Sequence, residues 1–453
     1  MLEIRSKTTK NGFSIQFKDH SYPVLYPPGY WERVPKDTRK ALTDNLALAT
    51  TMHLPLIFND SRITYYSGRP LLEPYFVDNF MRDIPSCAEV DGTDTAEMVR
   101  KFFETQYVFT DSEITVPSPE PVEDPYRAIV GLSFGKDSLL VYAIADEIGL
   151  DPEAGYLVED SMLYEEKHKR ELAKRFKKEF GKSLHVLRHD TGKLRHYAYL
   201  GLPFSDLGWG LQSTEYAIDL IPLAYALQGK YILFGNEQTT AETFVNEKDG
   251  WFIYPCYDQT HTWTVHLDQI TKAFSGRTVK TGSLIEPIMD MMVQRTLVHR
   301  YPKYAKYQMS CFTETEAGRD YHWCHDCTIC SKMYLLCAGS GIDPKSIGFR
   351  ANMFTRDKKQ YFTVFNGKSA LPYANTVTAR DEQIFAFYCA VKKGVKGPLV
   401  DDFKKSALFN EAVAREDELL KRFIHLYDPI TVPAELKEQV MSIFREEISS
   451  FEI

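Results

Sequence analysis

Two groups of residues in this chain have the types and spacing that chemistry requires. The first is Ser133-Phe134-Gly135-Lys136-Asp137-Ser138. It offers two hydroxyls, a full positive charge, a carboxylate, and a glycine that lets the backbone approach an anion closely. Set where a helix begins, such a turn adds unpaired N–H groups and the positive end of the helix dipole, which are the parts of a phosphate cradle. Asp137 is placed to cap the helix start and so fix the loop. The pattern is not a Walker A loop, which needs Gly-x-x-x-x-Gly-Lys-Ser/Thr. An ordinary polar turn between a strand and a helix is the alternative. The second group is Cys311, Cys324, Cys327 and Cys330, spaced C-x12-C-x2-C-x2-C. Four thiolates on short knuckles make a closed tetrahedral zinc site with a structural role. An iron–sulfur cluster is the rival, although a ferredoxin run carries its fourth cysteine at x3 with a proline after it, and here Cys337 follows at x6. His322 or His325 can replace one sulfur. Cys337, in the apolar stretch Met333 to Ala338, reads as core, and Cys87, Cys256 and Cys389 read as buried free thiols.

The elements that must position these groups follow from periodicity. Ala128, Ile129 and Val130 form a continuous apolar run within Arg127 to Gly131, as in a strand covered on both faces. A helix is predicted from Asp137 to Ile148, with Leu139, Leu140, Ala143 and Ile144 on one side. Further strands are predicted at Ala154 to Glu159, Ser183 to Arg188 and Lys230 to Phe234, separated by helices Glu165 to Phe180 and Tyr216 to Leu227. This alternation implies an α/β fold with a doubly wound parallel sheet. Ligands of such sheets sit beyond the carboxyl ends of the strands. Ser133 to Ser138, Glu159-Asp160 and Gly235-Asn236-Glu237 should therefore surround one crevice. The helix Glu165 to Phe180 carries many lysines and arginines interleaved with glutamates; this reads as a solvated face, with an RNA or protein contact as the sharper alternative.

On the N-terminal side, residues 1–115 read as an α/β domain. It should hold a hairpin of Leu2 to Ser6 and Phe13 to Phe17 around Asn11-Gly12, a helix Lys36 to Met52, and a strand Leu54 to Phe58. A further helix, Asp94 to Gln106, opens on a capping box of Asp94 and Glu97. Residues 116–125 form a proline-rich, semi-rigid linker. The nucleotide-binding domain then spans 126–300, the zinc-binding segment 301–345, and a helical C-terminal region 346–453. Helices are expected there at Glu382 to Lys392, Glu416 to Tyr427 and Pro433 to Ser449. A chain of 453 residues has room for two or three domains. Its 44% hydrophobic and 26% charged residues are those of a soluble globular protein. No apolar run reaches membrane-spanning length, and MLEIRSKTTK lacks the apolar centre of a signal peptide. A net charge of −8 speaks against a general nucleic-acid binder. Clustered cysteines point to metal in a reducing cytoplasm and not to a secreted disulfide framework.

The loop resembles the PP-loop, Ser-Gly-Gly-x-Asp-Ser, of the ATP pyrophosphatase superfamily, which implies a sheet of the HUP type. Members cleave ATP between the α- and β-phosphates, adenylate a substrate oxygen and release the pyrophosphate that the loop holds. Phe134 stands where the family has glycine, and is tolerable there only at negative φ with its ring turned from the phosphates. Loop and cysteines together are similar to the 7-cyano-7-deazaguanine synthase (QueC) family. Tyr164 to Leu172 is similar to its Tyr-Gly-Gln-Arg-His-x-x-Glu-Leu segment. Phe234 to Glu237 resembles its Gly-Val-Asn-Ala-x-Asp stretch. Ile285 to Ile288 and Ser310-Cys311 resemble its Glu-x-Pro-Leu segment and the Ser-Cys that opens its zinc site. The match covers about 126–343. The resemblance implies that ATP adenylates 7-carboxy-7-deazaguanine, that ammonia gives the amide, and that a second activation gives the nitrile. Lys136 and Asp137 would be the catalytic residues, with Lys136 stabilising charge on the departing pyrophosphate. Ser133, Phe134, Gly135, Lys136, Asp137, Ser138, Gly235, Asn236 and Glu237 would hold the nucleotide. Mg²⁺ would bridge the phosphates, held by Asp137 or Glu237; a plain loop role is the alternative for Glu237. Zn²⁺ would sit on the four cysteines.

Two departures bear on the acceptor. The family's Arg-Asn pair before the helix leading to the fourth strand is replaced by Ser213-Thr214-Glu215, and residues 1–124 and 346–453 have no counterpart. Both suit a QueC-like branch found in bacterial antiphage loci, with a protein amine as acceptor. Other classes stay open: a PP-loop sulfur transferase acting on tRNA, with Cys256 as its thiol, or a non-catalytic nucleotide-binding subunit.

Overall fold

The computed structural model describes residues 1–159, 164–246, 248–313, 315–365, 367, 374 and 376–453. Asp160 of the expected crevice lies outside the described residues. Ten strands form one sheet among them: β1 (Leu2–Thr9), β2 (Gly12–Phe17), β3 (His20–Leu25), β4 (Arg62–Tyr65), β5 (Gln106–Phe109), β6 (Arg127–Gly131), β7 (Glu153–Val158), β8 (Leu184–His189), β9 (Gly229–Leu233) and β10 (Lys280–Gly282). Their order is β10-β9-β6-β7-β8-β3-β2-β1-β4-β5. Strands β10 to β8 in that order pair in parallel. The stretch β8-β3-β2-β1 is antiparallel, and β1-β4-β5 is parallel again. Within the parallel half the chain adds β7 and β8 on one side of β6, then returns to add β9 and β10 on the other. That reversal between β6 and β9 is the switch point at which doubly wound sheets bind ligands.

The sheet crosses the expected boundary at 116–125 without a break, because β8 pairs with β3 through Arg188–Leu25 and His189–Val24. The proline-rich segment itself is docked: Val122 is buried and its N–H donates to Thr278 Oγ1 at 2.9 Å. One core lies between the N-terminal strands and one face of the sheet, with Phe13, Trp31, Phe76, Ile129 and Trp263 in a single cluster. A second core joins the other face to the C-terminal helices, with Val130, Leu140, Met291, Phe387 and Phe444 together.

The helices that matter for the site are α1 (Lys136–Glu147), α2 (Glu165–Phe180), α3 (Gln212–Asp219), α4 (Asp290–Arg300), α5 (Thr328–Gly339) and α6 (Val377–Lys392). In α2 the ion pairs Lys169–Glu165, Arg170–Glu166 and Lys174–Glu171 take up part of the basic face. Three local expectations change. Leu54–Phe58 is a short helix, not a strand, with Pro55 in its first turn and Asn59 in the left-handed region ending it. The helix expected over Tyr216 to Leu227 is two, because Pro222 opens a new helix, Ile221–Leu227, where its missing N–H costs nothing. Helix α6 starts earlier than Glu382 and is buried around nearly its whole circumference. The hairpin around Asn11-Gly12 pairs Thr9 with Gly12, and Asp94 accepts from Glu97 N–H at 2.7 Å, as its spacing predicts. No helix among the described residues is long and apolar enough to cross a membrane.

Candidate functional site

Strand β6 delivers the chain to Gly131, and α1 begins at Lys136 with Gly135 in the N-cap position (φ −64°, ψ 159°). Asp137 therefore does not cap the helix. It lies in the first turn, where its carboxylate takes the Lys136 ammonium at 2.5 Å. The loop is closed instead by Ser138, whose hydroxyl accepts from Ser133 N–H at 3.2 Å and donates to the Gly135 carbonyl at 3.1 Å. Phe134 also corrects its expectation. Its φ is +63°, the left-handed region, while its ring is fully buried with Phe176 beside it. That conformation costs an L-residue roughly 1–2 kcal/mol. Burying the ring contributes about 1.5–3 kcal/mol, enough to offset it. The inverted peptide leaves the Phe134 carbonyl accepting from Met309 N–H at 2.7 Å.

The two glycines differ in what demands them. At Gly235, after β9, an added Cβ would lie 2.5 Å from Asp137 Cβ, so close packing of two backbones requires glycine. At Gly135, φ is ordinary and a Cβ would meet only Ser133 Oγ, at 3.4 Å. Nothing in the protein itself calls for glycine there.

Lys136 is only 7% exposed. Burial works against its charge, but Asp137, Asp290 and Glu237 outweigh it and hold the ammonium well above its ordinary range. The sequence reading missed Asp290. It opens α4, and its two oxygens are shared: Oδ1 pairs with Lys136 and Oδ2 with Lys332 of α5. Burial opposes its charge, yet the two lysines keep it ionised. Glu382 of α6 lies 3.6 Å from Lys332 and accepts from Met291 N–H at 2.9 Å. Burial, then the neighbouring carboxylates, push Asp137 and Glu237 upward against the pull of Lys136. The cluster thus sets Asp137, Glu237, Asp290 and Glu382 against two ammoniums, and it is short of positive charge. Asp290 and Lys332 carry no motif of their own; their pairing is made only when α4 and α5 cross.

Of the stretch after β9, Glu237 faces this cluster while also accepting from Thr239 N–H at 2.5 Å. Asn236 turns away, donating to Thr264 Oγ1 at 3.0 Å. Glu159, expected in the same crevice, belongs to a separate buried network. Arg195 bridges Glu159 and Glu215, and His189 lies 3.0 Å from both Glu159 and Asp219. Despite its burial, His189 is pushed up to about 10 by these carboxylates. Glu215, in the departing Ser213-Thr214-Glu215 stretch, thus meets an arginine after all, supplied from the segment following β8.

The ligand atoms of Cys311, Cys324, Cys327 and Cys330 all lie within 4.8 Å of one another. Cys311 and Cys327 sulfurs are 3.8 Å apart, and those of Cys324 and Cys330 are 3.7 Å apart. One ion held tetrahedrally at the usual zinc–sulfur length gives edges of about 3.8 Å. The set therefore fits a single metal ion, whereas a cluster with several irons and sulfides inside would splay the thiolates further. His325 Nε2 accepts from Arg350 N–H at 3.1 Å and does not join the set. Cys337 and Cys389 are buried in the C-terminal core, and Cys87 in the N-terminal one. Cys256, expected to be buried, is only partly so; desolvation, with Asp258 and Glu237 adding, still pushes its thiol far up, which disfavours the thiolate that sulfur transfer needs. Compared with protein-family models and with curated proteins, the chain matches none.

Proposed function

We propose that the chain is an ATP-dependent carbon–nitrogen ligase of the QueC-like PP-loop type, in a HUP-type sheet, acting on a 7-deazaguanine-type carboxylate in the cytoplasm. The observation that carries this reading is Gly135. It stands at a helix N-terminus on the switch point of a parallel sheet, beside a buried lysine, and the protein gives no internal reason for its missing side chain. A polyphosphate lying on that turn supplies the reason, because it needs the space a Cβ would fill.

In this reading Lys136, the Ser133 and Ser138 hydroxyls and the first-turn amides of α1 hold the β- and γ-phosphates. The substrate carboxylate attacks the α-phosphorus, and pyrophosphate leaves onto Lys136, whose charge is worth most in a site shielded from water. The nitrogen nucleophile then attacks the acyl carbon, loses a proton, and AMP departs. Asp137 and Glu237 are carboxylates that would hold Mg²⁺, which would supply charge neutralisation on the phosphates. The four cysteines fit Zn²⁺ as a structural ion. Ammonia as nucleophile gives the amide, whose oxygen a second ATP adenylates so that AMP leaves with it and two protons are lost to give the nitrile; a protein amine gives a conjugate, the outcome that suits an antiviral QueC-like branch.

The test is to incubate the protein with ATP, Mg²⁺ and a panel of purine-like carboxylates, and to follow AMP, pyrophosphate and acyl products by mass spectrometry. We expect AMP to form with 7-carboxy-7-deazaguanine. ATP surviving intact with every carboxylate, with and without amines, would sink the proposal. A candidate protein acceptor that gains no mass while free nitrile accumulates would remove the conjugation branch.

A further inference from the structure

Helix α5 starts at the metal turn and is linked to the phosphate loop through Asp290. Its N-cap is Cys327, whose sulfur accepts from Cys330 N–H at 3.3 Å. Two residues beyond Cys330, Lys332 meets Asp290 Oδ2 with only 15% of its side chain exposed. The other oxygen of Asp290 holds Lys136. The same segment touches the loop's backbone on the approach to Cys311: Met309 N–H donates to the Phe134 carbonyl at 2.7 Å, and Ser310 Oγ lies 3.4 Å from Lys136 N. Gln308 Nε2 donates to that serine hydroxyl at 3.2 Å.

The geometry points to Lys332 as a positioning residue that holds the loop through Asp290, with the four-cysteine turn in turn holding Lys332. A lone Asp290 beside a loop meant for anions would draw Lys136 wholly to itself and would repel a phosphate. Shared with Lys332, it orients Lys136 while its own charge stays neutralised from the far side. Besides the buried Phe134 ring, the loop is closed from within by the Ser133 and Ser138 hydroxyls alone; its other anchors, Met309 on the Phe134 carbonyl and Ser310 on Lys136 N–H, lie on the segment that leads to Cys311. A metal ion on the cysteines would therefore govern the order of a loop it does not touch.

The coupling stands on these contacts alone; only its consequence for ATP rests on the function proposed above. Its test is amide hydrogen exchange of the unliganded full chain, with metal content measured on the same samples. Lys332→Met should keep its metal and the protection of residues 311–331, while amides of 133–138 exchange at least about tenfold faster. Lys332→Arg should restore loop protection to within about threefold. Chelating the metal from the wild-type chain should expose both segments. An unchanged loop in Lys332→Met, or a protected loop after chelation, overturns the inference, as does loss of the metal in Lys332→Met, which would make Lys332 a prop of the cysteine turn. Because the readout needs no nucleotide, a chain that leaves ATP intact but shows this pattern defeats the proposed function and not the coupling.

Discussion

Two buried charge clusters lie at the carboxyl end of the same sheet, and they differ in how they are enclosed. Around Arg195, cations are enclosed: the guanidinium bridges Glu159 and Glu215, His189 lies between Glu159 and Asp219, and Tyr26 from beyond β3 donates to Asp219 at 3.2 Å. The Arg195 side chain is 2% exposed. This network ties β7, β8 and α3 to the N-terminal strands, with Glu159, Glu215 and Asp219 closed around two cations away from solvent. Around Lys136 the carboxylates outnumber the ammoniums, burial pushes Asp137 and Glu237 up, and Asp137 keeps 32% of its side chain in solvent beside an open helix N-terminus. A cluster closed off from solvent on all sides is a strut. A cluster short of positive charge and open to solvent is a place where a cation and a polyanion can complete the charge.

That contrast can be broken most directly at Arg195. Arg195→Ala leaves Glu159 and Glu215 buried with only His189 between them and should cost about 3–5 kcal/mol of stability, read by chemical denaturation. A loss under about 1 kcal/mol would remove the strut reading, since that is what an exposed pair is worth. Lys136→Ala tests the other side. Its stability loss should be smaller than that of Arg195→Ala, because Lys332 still neutralises Asp290. AMP formation should fall about 10²–10³-fold. The reverse pattern, full turnover with collapsed stability, would make Lys136 the strut.

Phe134→Gly sharpens the comparison with a smaller effect. It relieves roughly 1–2 kcal/mol of left-handed strain and forfeits about 3–5 kcal/mol of ring burial. We expect a net loss of about 2 kcal/mol in denaturation, with ATP binding measured by calorimetry retained. The smallest expected effect, taken per pH unit, is on the pH dependence of stability. His189 is raised from its ordinary value to about 10, so its stabilisation is complete below about 6.5 and is lost as pH rises through 10. Between these values the folded chain holds a proton that the unfolded chain has released. Wild-type stability should therefore fall with rising pH more steeply than that of His189→Asn, by at most about 1.4 kcal/mol per pH unit. Parallel slopes would show that the imidazole is neutral in the fold.

Legibility followed the range of the interactions. The strand Arg127–Gly131, the helix after it and the basic helix Glu165–Phe180 lie where their apolar spacing puts them, because burial of a face leaves a periodic trace. The cysteine set was legible because two ligands per knuckle are local in sequence. Asp137 was misjudged as a cap because an aspartate near a helix start reads the same whether it bonds an amide or a lysine. Phe134 was misjudged because φ at that position is settled by Phe176 and by Met309, neither of which is near it in sequence. The C-terminal helices could be seen as helices, but nothing local said that Val377–Lys392 would be enclosed.

By itself the sequence determined the strand–helix alternation from Arg127 to Phe180, the loop, and the four thiols, since each rests on residue types within a few positions of one another. Only the tertiary structure decided that the N-terminal strands extend the same sheet, that Glu159 turns to Arg195 and not to the loop, and that Asp290 and Lys332 close on Lys136. Those are encounters between segments roughly 35 to 195 residues apart, and the free energy that selects them comes from burial and charge pairing that exist only once the chain has packed.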